Sequence, residues 1–219
     1  MHNIVQNLVD IQNKINSHLD EHKIDKVPKI IAVSKTFKIE KILPLIDHGH
    51  KHFGENKVQE AVDKWTEIKL SNPNIQLHLI GKLQTNKVKF ALKIFDYIHS
   101  VDSEKLAKKI SDEQIKINKK IKIFIQVNIG QEDQKSGTSV NELSSLISYC
   151  NKINLDVVGL MCIPPINEDP VIYFEKMKKL NEENKFNELS MGMSSDYLKA
   201  AMNNATYLRI GSSIFGQRY

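Results

Sequence analysis

Short runs rich in β-branched and other apolar residues recur eight times along the chain, each followed by a longer amphipathic or turn segment. The runs fall at 29–34, 52–55, 75–80, 94–99, 121–128, 155–161, 187–191 and 206–210. Helical stretches between them include 57–69, 84–92, 103–117, 141–151, 170–184 and 195–204. Such alternation means parallel strands, because a parallel pair needs a crossover connection, usually a helix. Eight units predict an α/β fold, a single (β/α)8 barrel of the TIM type, with tight loops because 219 residues is short for it. An open doubly wound sheet is the rival. It would place a glycine-rich turn after the first strand, and that turn reads SKTFKIE. Ile4, Leu8, Ile11, Ile15 and Leu19 recur at helical spacing ahead of the first strand, which adds an N-terminal helix. One domain over residues 1–219 is expected.

Charge excludes less than it suggests. The formal net charge is +5, yet of 31 basic residues only Arg209 and Arg218 are arginine, and acidic residues are interspersed with the lysines. A dedicated nucleic-acid surface is not expected. No apolar run reaches the roughly 18 residues of a membrane span, and the N-terminus lacks the apolar core and cleavage site of a signal peptide. Cys150 and Cys162 show no metal-type spacing and read as small buried apolar groups in a reducing, cytoplasmic setting. No metal is expected.

In a barrel the chemistry collects where strands end. There the sequence places Lys35, Asn56, Asn128, Met161, Ser190 with Gly192, and Arg209 with Gly211 and Ser212, while His78 lies inside a strand and Gly81 at its exit. Each has a plainer role open to it. Asn56 would cap the helix starting at Lys57, His78 would be a satisfied core histidine, Asn128 would order its loop, and Met161 would pack. The GQEDQKSG segment, Gly130 to Gly137, reads as a solvated turn. The turns GMSSD and GSS each bring glycine and hydroxyls to a helix start, whose free N–H groups suit an anion. Two such turns on neighbouring loops favour a phosphate site. Arg209 is informative because this chain uses lysine wherever a generic charge suffices, so a fork or a permanent charge is needed, unless it forms a buried ion pair. A desolvated Lys35 near other cations would become a nucleophile toward carbonyls. A snorkelling surface lysine is the alternative. With a phosphate site and a cation for a ring nitrogen, the suggested ligand is pyridoxal 5'-phosphate (PLP).

Five blocks in order, AVSKT, FGENKVQE, HLIGKLQTNKVK, LSMGMSSD and RIGSSIFGQR, resemble the pyridoxal phosphate homeostasis proteins over nearly the whole chain. That family is a (β/α)8 barrel similar to the N-terminal domain of alanine racemase. The resemblance implies PLP as cofactor, held as a Schiff base on Lys35, with Asn56 beside it. It implies that Ser190, Gly192, Met193, Ser194, Gly211 and Ser212 border the phosphate, and that Arg209 faces the pyridine nitrogen. It further implies a monomer that buffers and delivers PLP to PLP-requiring apo-enzymes without substantial turnover. Lys82 stands where a histidine is common, and the loop after VNIG varies; both concern the rim. A racemase-like enzyme of weak activity is the second function class, and a phosphate-binding barrel without PLP the third. Because the chain ends eight residues beyond Gly211, no second domain is expected, and one face of the cofactor would be open to water.

Overall fold

The computed structural model describes residues 3–132 and 136–217. Helix α1 (Asn3–Glu21) precedes β1 (Lys29–Val33), α2 (Ile39–Asp47), β2 (His52–Glu55), α3 (Val58–Ser71), β3 (Gln76–Leu79), α4 (Val88–Ile94) and β4 (Tyr97–Val101). There follow α5 (Glu104–Ile117), β5 (Lys122–Gln126), α6 (Val140–Lys152), β6 (Asp156–Met161), α7 (Pro170–Glu183), β7 (Glu188–Met193), α8 (Tyr197–Met202), β8 (Tyr207–Ile210) and α9 (Ser212–Phe215). The strands pair in sequence order, all parallel, and β1 closes on β8 through Lys29↔Tyr207 to Ala32↔Ile210. The expected (β/α)8 barrel with its extra N-terminal helix is the observed fold.

Local chemistry accounts for the element ends. Ser103 caps α5 by accepting the Leu106 N–H. Leu106 and Ile110 are buried on that helix, but Ile117 is 37% exposed and leaves the apolar face. The fourth strand begins at Tyr97, three residues later than the apolar run, because Val88–Ile94 stays helical. α2 is a helix the apolar pattern does not announce. It carries Pro44 internally and its Lys38 start lacks a side-chain cap, yet the burial of Ile42 and Leu45 holds it.

Two cores result. The larger lies between sheet and helices and takes Leu8, Ile15 and Leu19 of α1 with Trp65, Phe95 and Phe174. The second is inside the barrel: Ile31, Tyr97, Phe124, Met161 and Tyr207. TIM barrels fill this space mainly with branched aliphatics in layers. Here aromatics predominate, and fully buried His78, His99 and Ser190 sit among them. His78 stacks on Tyr97 at 4.3 Å and His99 on Phe124 at 4.3 Å.

Candidate functional site

The C-terminal ends of the strands surround a cavity of about 600 Å³. Its wall includes Lys35, Asn56, Met193, Ser194, Arg209, Gly211 and Ser212, so seven of the ten sequence-read site residues meet there. Val33, Ile80, Ile163, Ser195 and Ser213 complete it. Met161, Ser190 and Gly192 are not on the wall. Met161 is fully buried in the inner core, which is the packing role. Ser190 lies beneath Arg209. Gly192 is buried behind the wall at φ +88°, where a Cβ would stand 2.5 Å from Ala200 Cβ.

Lys35 lies two residues beyond the end of β1, after Ser34, and a polar bracket grips the chain on both sides of it. Lys64 of α3 donates to the Ser34 carbonyl at 3.0 Å, to Glu55 Oε1 at 3.0 Å and to Glu60 Oε1 at 3.1 Å. Glu60 Oε1 also accepts the Thr36 N–H at 2.6 Å. Burial would raise the Glu60 carboxyl, but the Thr36 N–H and Lys64 together hold it below its ordinary value. Glu55 is fully buried, and its Oε1 takes the Ser34 hydroxyl at 2.7 Å and the Trp65 indole N–H at 3.0 Å as well. The bracket fixes where Lys35 leaves the strand.

Asn56 is not the cap of α3, which starts at Val58 with Lys57 as its uncapped N-cap. The residue stays at the wall, and its backbone carbonyl would stand 2.3 Å from a Cβ at Gly81. That close approach of two strand exits requires glycine at 81. Asn128 orders its own loop, donating to the Glu132 carbonyl at 2.9 Å and accepting the Glu132 N–H at 3.2 Å. Gly130 and Gly137 flank residues 133–135, which lie outside the described residues.

The two Gly/Ser turns converge. The N–H groups of Gly211 and Ser213 both point at Ser194 Oγ, at 3.2 and 3.3 Å. α8 and α9 are too short for a sizeable summed dipole, so their main-chain N–H groups and hydroxyls are what an anion would meet. Three of these N–H groups have partners within the protein: those of Gly211 and Ser213 meet Ser194 Oγ, which an anion would replace as their acceptor, and Met193 N–H donates to Asp196 Oδ1 at 2.6 Å.

Arg209 is buried, at 4% exposure, and reaches the wall from β8. It donates to Ser190 Oγ at 2.7 Å and to the Cys162 carbonyl at 2.8 Å. Among the described residues no carboxylate pairs with it, so the buried-ion-pair reading fails. Burial lowers its pKa, opposed by Cys162 and Asp196, but from an ordinary value so high that it stays a cation. A buried cation without a counter-ion is costly unless a ligand meets it. Lys35, Arg209 and converging hydroxyl and N–H donors therefore fit an elongated ligand with a carbonyl, a ring acceptor and an anionic end. Among the described residues one cluster has metal-ligand character, His18, Glu21 and His22, and it lies at the C-terminal end of α1 with none of its members on this wall.

Fold and site together define the barrel class that alanine racemase uses as its N-terminal domain. The chain matches the family described as "Alanine racemase, N-terminal domain" over residues 7–219. Alanine racemase of Clostridium difficile 630 shares the fold at a TM-score of 0.74 and 16% identity, over 100% of this chain and 57% of that one. Two curated relatives bear the name pyridoxal phosphate homeostasis protein. That of Pasteurella multocida is 34% identical over 98% of this chain and 97% of its own, and that of Aquifex aeolicus 38% identical over 87% of each. The chain belongs to the pyridoxal phosphate homeostasis protein family. PipY of Synechococcus elongatus PCC7942, solved with PLP bound, has a TM-score of 0.80 and 32% identity over 92% of this chain and 100% of that one.

Proposed function

We propose that this chain binds PLP at the barrel mouth, as a Schiff base on Lys35, and stores and delivers it rather than using it for turnover. The observation that carries the reading is the buried, carboxylate-free Arg209 facing the same cavity as Lys35 and the Ser194–Gly211–Ser213 donors. PLP presents an aldehyde, a ring nitrogen and a phosphate to these three groups. Asn56 would lie beside the ring, and Met193, Gly211 and Ser212 with Ser194 would border the phosphate, with Gly192 behind them. The names of the relatives and the PLP in PipY support the same reading. When bound, PLP supplies an electron sink for amino-acid chemistry. Arg209, permanently charged, keeps a proton off any nitrogen it faces and so weakens that sink.

The wall also lacks a second proton carrier. Among its described residues Lys35 and Arg209 are the only ionisable side chains, and Arg209 holds its proton. Stereochemical inversion needs groups on both faces, and a positioned acid or base contributes about 10²–10⁴-fold. We further read the chain as one domain, a cytoplasmic monomer whose recipients are PLP-requiring apo-enzymes.

Reconstituted protein should be yellow, and borohydride reduction with peptide mapping should leave the cofactor on Lys35. Lys35→Ala should lose the visible band while keeping its melting temperature. Label on another lysine would sink the assignment. Deuterium exchange at Cα of alanine well above that of free PLP, abolished by Lys35→Ala, would favour the racemase-like alternative.

A further inference from the structure

Beneath Arg209 a chain of hydrogen bonds runs down the inside of the barrel. Ser190 Oγ lies 2.9 Å from His99 Nδ1, His99 Nε2 lies 2.9 Å from His78 Nδ1, and His78 Nε2 lies 3.0 Å from His52 Nδ1. The members come from β7, β4, β3 and β2, and Arg209 from β8. His52 ends the column at a second cavity, of about 490 Å³, beneath α1 at the opposite end of the barrel.

The proton positions follow from the first bond. A guanidinium only donates, so Ser190 Oγ accepts at 2.7 Å. Its own proton then has one acceptor among the described residues, His99 Nδ1. His99 must carry its proton on Nε2 and donate to His78 Nδ1. His78 is likewise Nε2–H and donates to His52 Nδ1. Each O–H or N–H points away from the cation. A hydroxyl that donates becomes a better acceptor, and aligned bonds strengthen one another in a low-dielectric interior.

We infer that Ser190, His99, His78 and His52 together replace the carboxylate that a buried arginine ordinarily needs. They hold the guanidinium with neutral groups in series, leaving its positive charge uncompensated toward the cavity. His99 and Ser190 are thereby positioning residues for Arg209. A carboxylate at Ser190's place would hold the fork equally well but neutralise it, and the cavity would lose its field. The column does not conduct protons: moving one down it would first strip the hydroxyl of Ser190. Burial and, for His99, the neighbouring Arg209 push both fully buried imidazoles well below their ordinary pKa, which keeps them neutral. That the held charge serves a pyridine nitrogen rests on the PLP reading; the column itself does not.

The test is side-chain ¹⁵N NMR of histidine on the unliganded full chain at pH 7, followed by PLP titration. His78 and His99 should both be neutral Nε2–H forms. An imidazolium, or an Nδ1–H form of His99, would overturn the inference. In Arg209→Met, Ser190 no longer has to accept from above, and the Nδ1–H forms should gain population. A second variant guards against misfolding. His99→Phe keeps the ring stacked on Phe124 but removes the acceptor. It should weaken PLP binding about ten- to a hundredfold with Lys35 still the labelled residue, and His99→Gln should recover part of the loss. A folded His99→Phe with wild-type affinity would refute the positioning role. Expected tautomers in a chain that takes up no PLP would uphold the column and reject the cofactor reading alone.

Discussion

Thr36 sits at φ +69°, a left-handed conformation that costs a β-branched residue on the order of 1 kcal/mol. Its neighbour Lys35 explains why the cost is borne: the turn aims that side chain, and Glu60 and Lys64 hold the turn. Lys64→Met should therefore do more than remove a surface charge. Glu55 is fully buried and Lys64 nearly so, and breaking such a pair typically costs about 3–5 kcal/mol. Urea denaturation should show a loss of that order, and Glu55→Gln added to Lys64→Met should restore part of it; additive losses would mean that the pair does not interact. At this scale the sequence is partly readable. Lys35 and Arg209 stand out because each breaks a local habit, a lysine ending an apolar strand and an arginine in a lysine-using chain. His99 gives no such signal, since a lone histidine in YIHSV differs from a core residue only through partners on other strands. Ser213 and Ser195 are missed because neighbouring serines in GSS and SSD are indistinguishable until the turn is folded.

Among elements, the β7–α8 and β8–α9 connections set the anion end of the cavity. Pyridoxal without phosphate should bind far more weakly than PLP, since each charge-assisted contact contributes roughly 1.5–3 kcal/mol. Equal affinities would reduce the Gly/Ser turns to chain reversals. Gly192→Ala should disturb the same end. It combines φ +88° with a clash against Ala200 of α8, so a lower melting temperature should accompany weaker PLP binding. The strands were legible because buried parallel strands are short unbroken apolar runs. α2 was not, because Pro44 and an uncapped start remove the local helix signals and tertiary burial supplies what they lack.

For the molecule as a whole, the half-buried histidines His50 and His52 make stability depend on pH. Burial, with His50, Lys29 and Lys51 assisting, lowers His52 to about 4 from an ordinary value of 6.5. Burial likewise brings His50 to about 4. The unfolded chain takes up these protons near 6.5 and the folded chain only near 4, so this stability is complete above about pH 6.5 and lost as pH falls toward 4. Urea midpoints at pH 7, 5.5 and 4.5 should fall more steeply for the wild type than for His52→Gln. Parallel curves would show that His52 is not held neutral. The barrel and its mouth were readable from order and spacing alone, but the polar filling was not, because its five members are scattered from residue 52 to residue 209.

That filling also constrains how the sequence can drift. Each of its five members answers a donor or acceptor on a different strand, so losing one leaves a buried group unmet on the next. A change that is harmful alone becomes tolerable only after its neighbour has changed, and the order of substitutions matters as much as their identity. The lysines on the outer helix faces carry no such condition. Sequences descending from this one should vary freely on the outside while the interior either stays as it is or is replaced as a set.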